Sequence, residues 1–388
     1  MIKVLHVINW FRRGGVETQL LQILRDYDRA RFHMDVCCFG TELGYLAPEA
    51  KKFGAEIMHC PKSPNLFVFS KRFHELIDKR KYDVVHCHSE AWSGPVLRGA
   101  KHAGVSVRIA HIRSSLPQGF TIQNPFLRLG RNFIMTWGRY WLKQNATYIL
   151  GVSKASLNAR FPQWKNSGKF SLWTLGVDTQ KFIPSSDKSN CRQESPVIIN
   201  IGSFIPQRRQ DLLIQIYEKV LQSIPGTRLN LVGDGERLQS CIAVAKRLGI
   251  DDRVDFLGLR EDIPDLLHGA DIFVSCSEAE GLPNVLLEAQ ASGLPVVASD
   301  IRPHREALPE EAHQFLFGHD DLRGAADNIV RILNEAQLYG RLSEAGRVHV
   351  CEHYDSRKNL PKLEEMYLRW VEEGRRSEDG SRRSDVRI

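Results

Sequence analysis

The chain has 388 residues, 42% of them hydrophobic and 26% charged, which is too long for one comfortable core and too apolar for a disordered or fibrous protein, so two α/β domains are expected. Its net charge of +7, with five arginines against three acids in the last fifteen residues, suits phosphate-bearing ligands or an anionic membrane surface and does not by itself point to nucleic acid. No apolar run approaches the roughly 18 to 20 residues of a membrane span. The strand pattern that starts at Lys3 leaves no room for a signal peptide, and the expected location is cytoplasmic.

Short Val- and Ile-rich runs alternate with helix-like segments, which predicts parallel sheets with helices on both faces. The first series of strands is expected at Val4–Asn9, Met34–Phe39, Glu56–Cys60, Asp83–His88, Val107–His111, Tyr148–Val152 and Phe170–Leu175. The first strand runs into Trp10-Phe11-Arg12-Arg13-Gly14-Gly15 and a helix from about Val16. Paired glycines there either expose backbone amides to a phosphate or merely make a tight turn, and the Gly-x-Gly-x-x-Gly spacing of dinucleotide binders is absent. Asp26-Tyr27-Asp28 is the one Asp-x-Asp in the chain, and it reads as a solvated helix end rather than a metal site. His86-Cys87-His88 offers two imidazoles with no further ligand at a plausible spacing, so no metal is expected. The stretch Phe126–Lys143 mixes aromatics with basic residues. Such a helix packs on a sheet or rests on an anionic membrane.

The polar, proline-bounded segment Pro184–Pro196 reads as a linker. This divides the chain into a domain at 1–185, a second at 196–350, a helical segment at 351–373 and an unstructured tail at 374–388. Eight cysteines form no framework and no Cys-x-x-Cys pair, so buried free thiols are expected. The second series of strands is expected at Val197–Gly202, Arg228–Val232, Val254–Leu257, Ile272–Cys276 and Val296–Ser299. After the first of these, Arg208 and Arg209 enter a helix, where they either hold a diphosphate or form a charged turn. Strand Ile272–Cys276 leads into Glu280-Gly281-Leu282-Pro283-Asn284 and a helix, with Asn284 able to cap it and its free amides open to an anion. Glu280 and Glu288 could bind sugar hydroxyls, although Glu288 could equally be a structural glutamate.

Glu280 and Glu288 have the Glu-x7-Glu spacing, and the run Glu280–Asp300 resembles the retaining glycosyltransferases of family 4. The resemblance extends, in the family's order, to Gly14-Gly15-Val16-Glu17, Gly176-Val177-Asp178 with Phe182, Leu231-Val232-Gly233-Asp234-Gly235 and Phe256-Leu257-Gly258. It implies the GT-B fold, two Rossmann-like domains facing across a cleft, with the last helix crossing back to the first domain. It implies transfer of a hexose from a nucleotide diphosphate sugar, with uracil the expected base, to a hydroxyl of a saccharide or lipid-linked saccharide, without metal or cofactor, as in surface polysaccharide assembly.

Carried over by position, Glu280 contacts the transferred sugar and the amides of Gly281, Leu282, Pro283 and Asn284 face sugar and phosphate. Glu288 then holds the ribose, Leu259-Arg260 meet the base, and Arg208 takes the place of a diphosphate-binding lysine. Ser203 stands where the family has an arginine, a departure that Arg209 would have to compensate. The family's histidine near the reacting carbon is matched by His111, with His88 as competitor. Acceptor contacts fall on Trp10–Arg13, His88–Trp92 and Arg113–Phe120. The rival classes are a nucleotide-sugar epimerase, a catalytically silent nucleotide-sugar-binding subunit and a sugar phosphorylase; the last lacks a lysine placed for a pyridoxal cofactor.

Overall fold

The computed structural model of the chain describes residues 1–12, 14–114, 136–185 and 195–385. It divides into two units: the first holds Met1–Leu175 and Lys358–Ile388, the second Gly176–Arg357.

In the first unit seven strands, β1 (Ile2–Ile8), β2 (Phe32–Cys38), β3 (Ile57–His59), β4 (Val84–Cys87), β5 (Val107–Ile112), β6 (Tyr148–Gly151) and β7 (Phe170–Leu172), form one sheet in the order β3-β2-β1-β4-β5-β6-β7. All pairings are parallel. The run Ile2–Ile8 is almost wholly buried because helices cover both faces, and its side chains alternate between two cores. Ile2, Val4 and Ile8 join the cluster that includes Leu363, Tyr367 and Trp370. Leu5 and Val7 join the other, with Phe69, Phe73 and Val96.

The second unit has six strands, β8 (Val197–Ile201), β9 (Arg228–Val232), β10 (Val254–Gly258), β11 (Ile272–Ser275), β12 (Val296–Ser299) and β13 (Leu316–Phe317), in the order β10-β9-β8-β11-β12-β13. They too pair in parallel. In each sheet the strand order reverses beside the first strand, and the crevice past the carboxyl ends there is where open α/β sheets bind ligands.

Two boundaries differ from the sequence reading. The passage between units lies at Leu175–Gly176 rather than in the polar segment, of which 186–194 falls outside the described residues. Gly176, at φ +81°, lies so close to the Tyr354 carbonyl that a Cβ would sit 1.9 Å from its oxygen. Val177 bridges to Asp355, so this strip of backbone is built into the second unit. The tail expected to lack structure is helical to Asp385, within one helix, Ser356–Asp385. Its charges fall at helical spacing, with Arg369–Glu373 and Glu372–Arg376 four residues apart.

Of the eight cysteines, seven are described and all are free, six of them buried. Among the described residues no helix is long and apolar enough to cross a membrane. Residues 126–135 of the aromatic and basic stretch lie outside the description, and 136–145 are helical.

Candidate functional site

Most of the sequence candidates lie past the carboxyl ends of the second sheet. After β8 the chain passes Gly202 and the exposed Ser203, makes a short 3-10 turn at Pro206–Arg208, and enters the helix Gln210–Ser223 through Arg209. Arg209 has φ 50°, a left-handed conformation that costs a side-chain-bearing residue on the order of 1 kcal/mol. The loop is fastened by buried Gln210, whose Nε2 donates to the Ser203 carbonyl at 3.1 Å. Gly233, at φ +136°, lets the loop after β9 approach so closely that a Cβ would lie 2.1 Å from the Gly202 oxygen.

Arg208 reaches the loop after β11. Its Nη1 donates to Ser277 Oγ at 3.3 Å and it is ion-paired with Glu280. Ser277 Oγ also donates to Glu280 Oε1 at 3.0 Å. The Ser277 carbonyl accepts from Ser299 Oγ at 2.5 Å, and the Ser299 carbonyl accepts from His304 Nδ1 at 2.8 Å. Burial holds His304 neutral, its pKa lowered to about 4, so the series Arg208, Ser277 and Glu280 rests on an uncharged buried support. Glu280 is 6% exposed at its side chain and Arg208 33%. Burial also draws the Arg208 guanidinium down to about 10, which leaves it charged at neutral pH.

Arg209 is engaged elsewhere. Its Nη1 donates to Glu278 at 2.5 Å and its Nε to Asp211 at 3.3 Å, so in the free protein its charge is already met. Asn284 is not the cap of its helix: Pro283 occupies that position and Asn284 is the first helical residue of Asn284–Ala291. Gly281, Leu282 and Pro283 are buried beside it. Glu288 lies one turn further on. Its carboxyl has no hydrogen-bond partner among the described residues, and burial raises its pKa to about 7, against a weaker pull from Lys181. Leu259 is 63% exposed past β10, while Arg260 beside it is bound to Asp262.

In the first unit Gly14, at φ −169°, precedes the helix Gly15–Asp26 and needs no left-handed conformation. A Cβ there would meet the Glu17 carboxylate at 2.5 Å. His111 does not lie open at a strand end. It sits within β5 with no exposed surface, between His86 and the Trp173 carbonyl. Both ring nitrogens are occupied. His88 and Arg113, each one residue past its strand, hold the ends of β4 and β5.

His6, His86, His88 and His111 share one sheet face. His6 pairs in register with His86, and His86 with Ile109, so alternation places His88 and His111 on the same side. Their protons follow from the ends of the two chains of bonds. Arg113 can only donate, so His88 Nδ1 accepts (3.1 Å) and His88 Nε2 donates to His6 Nδ1 (3.0 Å). The Trp173 carbonyl can only accept, so His111 Nε2 donates to it (3.2 Å), His86 Nε2 donates to His111 Nδ1 (3.1 Å), and Tyr367 donates to His86 Nδ1 (2.5 Å). His6 Nε2 is left without a partner among the described residues. Burial first, and then neighbouring imidazoles and Arg113, push all four pKa values down, His6 to about 3.

Nitrogens of His6, His86 and His88 lie within 4.8 Å of one another, so the pair seen in the sequence does have a third imidazole of metal-ligand type. The signal was there to be read: histidines two apart in a strand share a face, and a histidine at the matching position of the first strand completes the group.

The sequence profile described as glycosyltransferase family 4 matches residues 13–181, and that described as glycosyl transferases group 1 matches residues 182–349. An Escherichia coli UDP-Gal:alpha-D-GlcNAc-diphosphoundecaprenol alpha-1,3-galactosyltransferase is 24% identical over 386 residues, covering 95% of this chain and 97% of its own. The Staphylococcus aureus capsular polysaccharide biosynthesis glycosyltransferase CapH is 25% identical over 79% of this chain and 83% of its own. Anabaena HepE, crystallised with UDP and glucose, superposes with a TM-score of 0.77 at 20% identity, over 94% of this chain and 99% of its own. The two Rossmann-like units therefore carry the GT-B fold, and the chain belongs to the group 1 glycosyl transferases of glycosyltransferase family 4.

Proposed function

We propose that the protein transfers a hexose from a UDP-sugar to a hydroxyl of a saccharide or lipid-linked saccharide, with retention and without a metal, in surface polysaccharide or glycoconjugate assembly. The observation that carries this reading is the ion pair of Arg208 and Glu280, propped by Ser277 at the carboxyl edge of the second sheet. In the free protein each charge satisfies the other. A donor separates them: the diphosphate takes the guanidinium and the sugar hydroxyls take the carboxylate. As the bond to the anomeric carbon loosens, negative charge grows on the leaving diphosphate, where Arg208 and the amides of Gly281 and Leu282 stabilise it. Glu288, with no partner of its own, accepts from the ribose hydroxyls, and the exposed Leu259 edge meets the base. Retention follows from attack on the face the diphosphate leaves, with one of its oxygens accepting the acceptor's proton. Work at the inner face of the membrane, in peripheral contact with anionic lipid, accords with the basic charge of the chain; no nucleic acid is involved.

Release of UDP from a panel of UDP-sugars, with a chelator present, tests the reading. Release for one donor, insensitive to chelator and lost in Glu280→Ala and Arg208→Ala, supports it. The silent-subunit reading is favoured by Ser203, whose exposed hydroxyl supplies no charge where the family has an arginine. Donor binding with no release for any acceptor would establish that reading instead.

A further inference from the structure

Arg113 follows β5 at the carboxyl edge of the first sheet. Of its five N–H groups two are used, one on His88 Nδ1 and one on Gln19 Oε1. Neither acceptor carries charge, since His88 is held neutral. Among the described residues no carboxylate comes within ion-pair distance of Arg113, and Glu17 acts on it only through space. A guanidinium drawn out of water without a counter-ion costs stability that a neutral side chain in its place would not, and such groups recur where an anion is bound.

A second cation on the same edge shows the same character independently. Lys62, just past β3, is anchored by its amide to the Phe39 carbonyl at 3.0 Å. Its ammonium lies 5.0 Å from the Phe39 ring centre, 5.6 Å from Trp92 and 5.9 Å from Trp10. Among the described residues it has no carboxylate partner, and Glu42, on the neighbouring loop, is held by Arg12 at 2.6 Å. The indole faces of Trp10 and Trp92 beside Lys62 suit a sugar ring that bears an acid.

We propose that the acceptor is acidic: the first unit takes a phosphate or carboxylate of the acceptor on the fork of N–H groups that Arg113 leaves unused. The planar guanidinium matches either oxyanion with two parallel bonds, and Lys62 adds charge beside the rings. This rests on the glycosyltransferase reading above, and it adds the class of acceptor to it.

The test uses the full-length protein saturated with UDP, so that phosphate-binding groups of the second unit are occupied. Glucose 1-phosphate, glucuronate, farnesyl diphosphate and methyl glucoside are each titrated while the melting temperature is followed. The acids should raise it and methyl glucoside should not. Arg113→Gln should abolish the rise and Arg113→Lys keep a weaker one, with UDP's own stabilisation unchanged in both. A larger response to farnesyl diphosphate would place the acid on a lipid and a larger response to glucose 1-phosphate on a soluble sugar; either supports the proposal. In turnover, acid-bearing acceptors should show a KM lower by about tenfold or more than their neutral counterparts, a ratio that falls to about one in Arg113→Gln. Equal responses to acid and neutral sugars, or acid binding that survives Arg113→Gln, would overturn it. Failure of the transferase reading looks different: no UDP release with any acceptor, while the binding titrations still report.

Discussion

Glu288 offers the sharpest test of the donor site. Burial lifts its carboxyl from 4.5 to about 7, a rise worth at most about 3 kcal/mol. A carboxyl whose pKa is raised by folding keeps its proton in the folded chain after the unfolded chain has lost it, so stability falls as the pH climbs from 4.5 to about 7 and stays lowered above that. Replacing Glu288 by Gln removes the penalty. In urea unfolding at pH 8 the variant should be more stable by about 1 to 3 kcal/mol, and the gain should vanish near pH 4.5. The same change should weaken UDP by roughly tenfold or more, because an amide accepts from ribose hydroxyls less strongly than a carboxylate. For the unaltered protein UDP affinity should fall as the pH drops through 7 and Glu288 takes up its proton. A variant less stable than the parent at pH 8, or a stability difference that does not move with pH, would refute the argument that an unpartnered carboxylate waits at this position.

Arg208→Gln removes the counter-charge of buried Glu280 and should cost about 2 kcal/mol, discounted because Arg208 is one-third exposed; adding Glu280→Gln should restore the urea midpoint but not UDP release. Arg209→Gly should be more stable than Arg209→Ala by about 1 kcal/mol, since both lose the same ion pairs and only glycine relieves the left-handed backbone. Tyr367→Phe should keep the fold but lower unfolding free energy by about 1 to 3 kcal/mol, because His86 Nδ1 then has no donor.

Alternating Val and Ile runs disclosed twelve of the thirteen strands, with short errors at their ends; β13, two residues long, carries too little pattern to be seen. Periodicity says which face of a strand is buried but not which distant side chain meets it. Hence Arg208 could be singled out from its place after a first strand, whereas its pairing with Glu280 and the capture of Arg209 by Glu278 and Asp211 appear only when the two loops are folded against each other. The same limit explains His111: its position near a strand end was legible, but the Trp173 carbonyl that closes it off lies 62 residues away. The tail was misread because a polar, arginine-rich composition is shared by disordered segments and by exposed helices with charges four apart.

Leu360, Leu363, Tyr367, Trp370 and Val371 belong to the core of the first unit, although nearly two hundred residues of the second unit precede them in the chain. Each contributes roughly 1.5 to 3 kcal/mol of burial, together on the order of a whole domain's stability. During synthesis the first sheet must therefore wait, with part of one apolar face uncovered, until residues 360–371 have left the ribosome. A stalled or truncated transcript would then yield a polypeptide whose second unit is finished and whose first is still a client for chaperones.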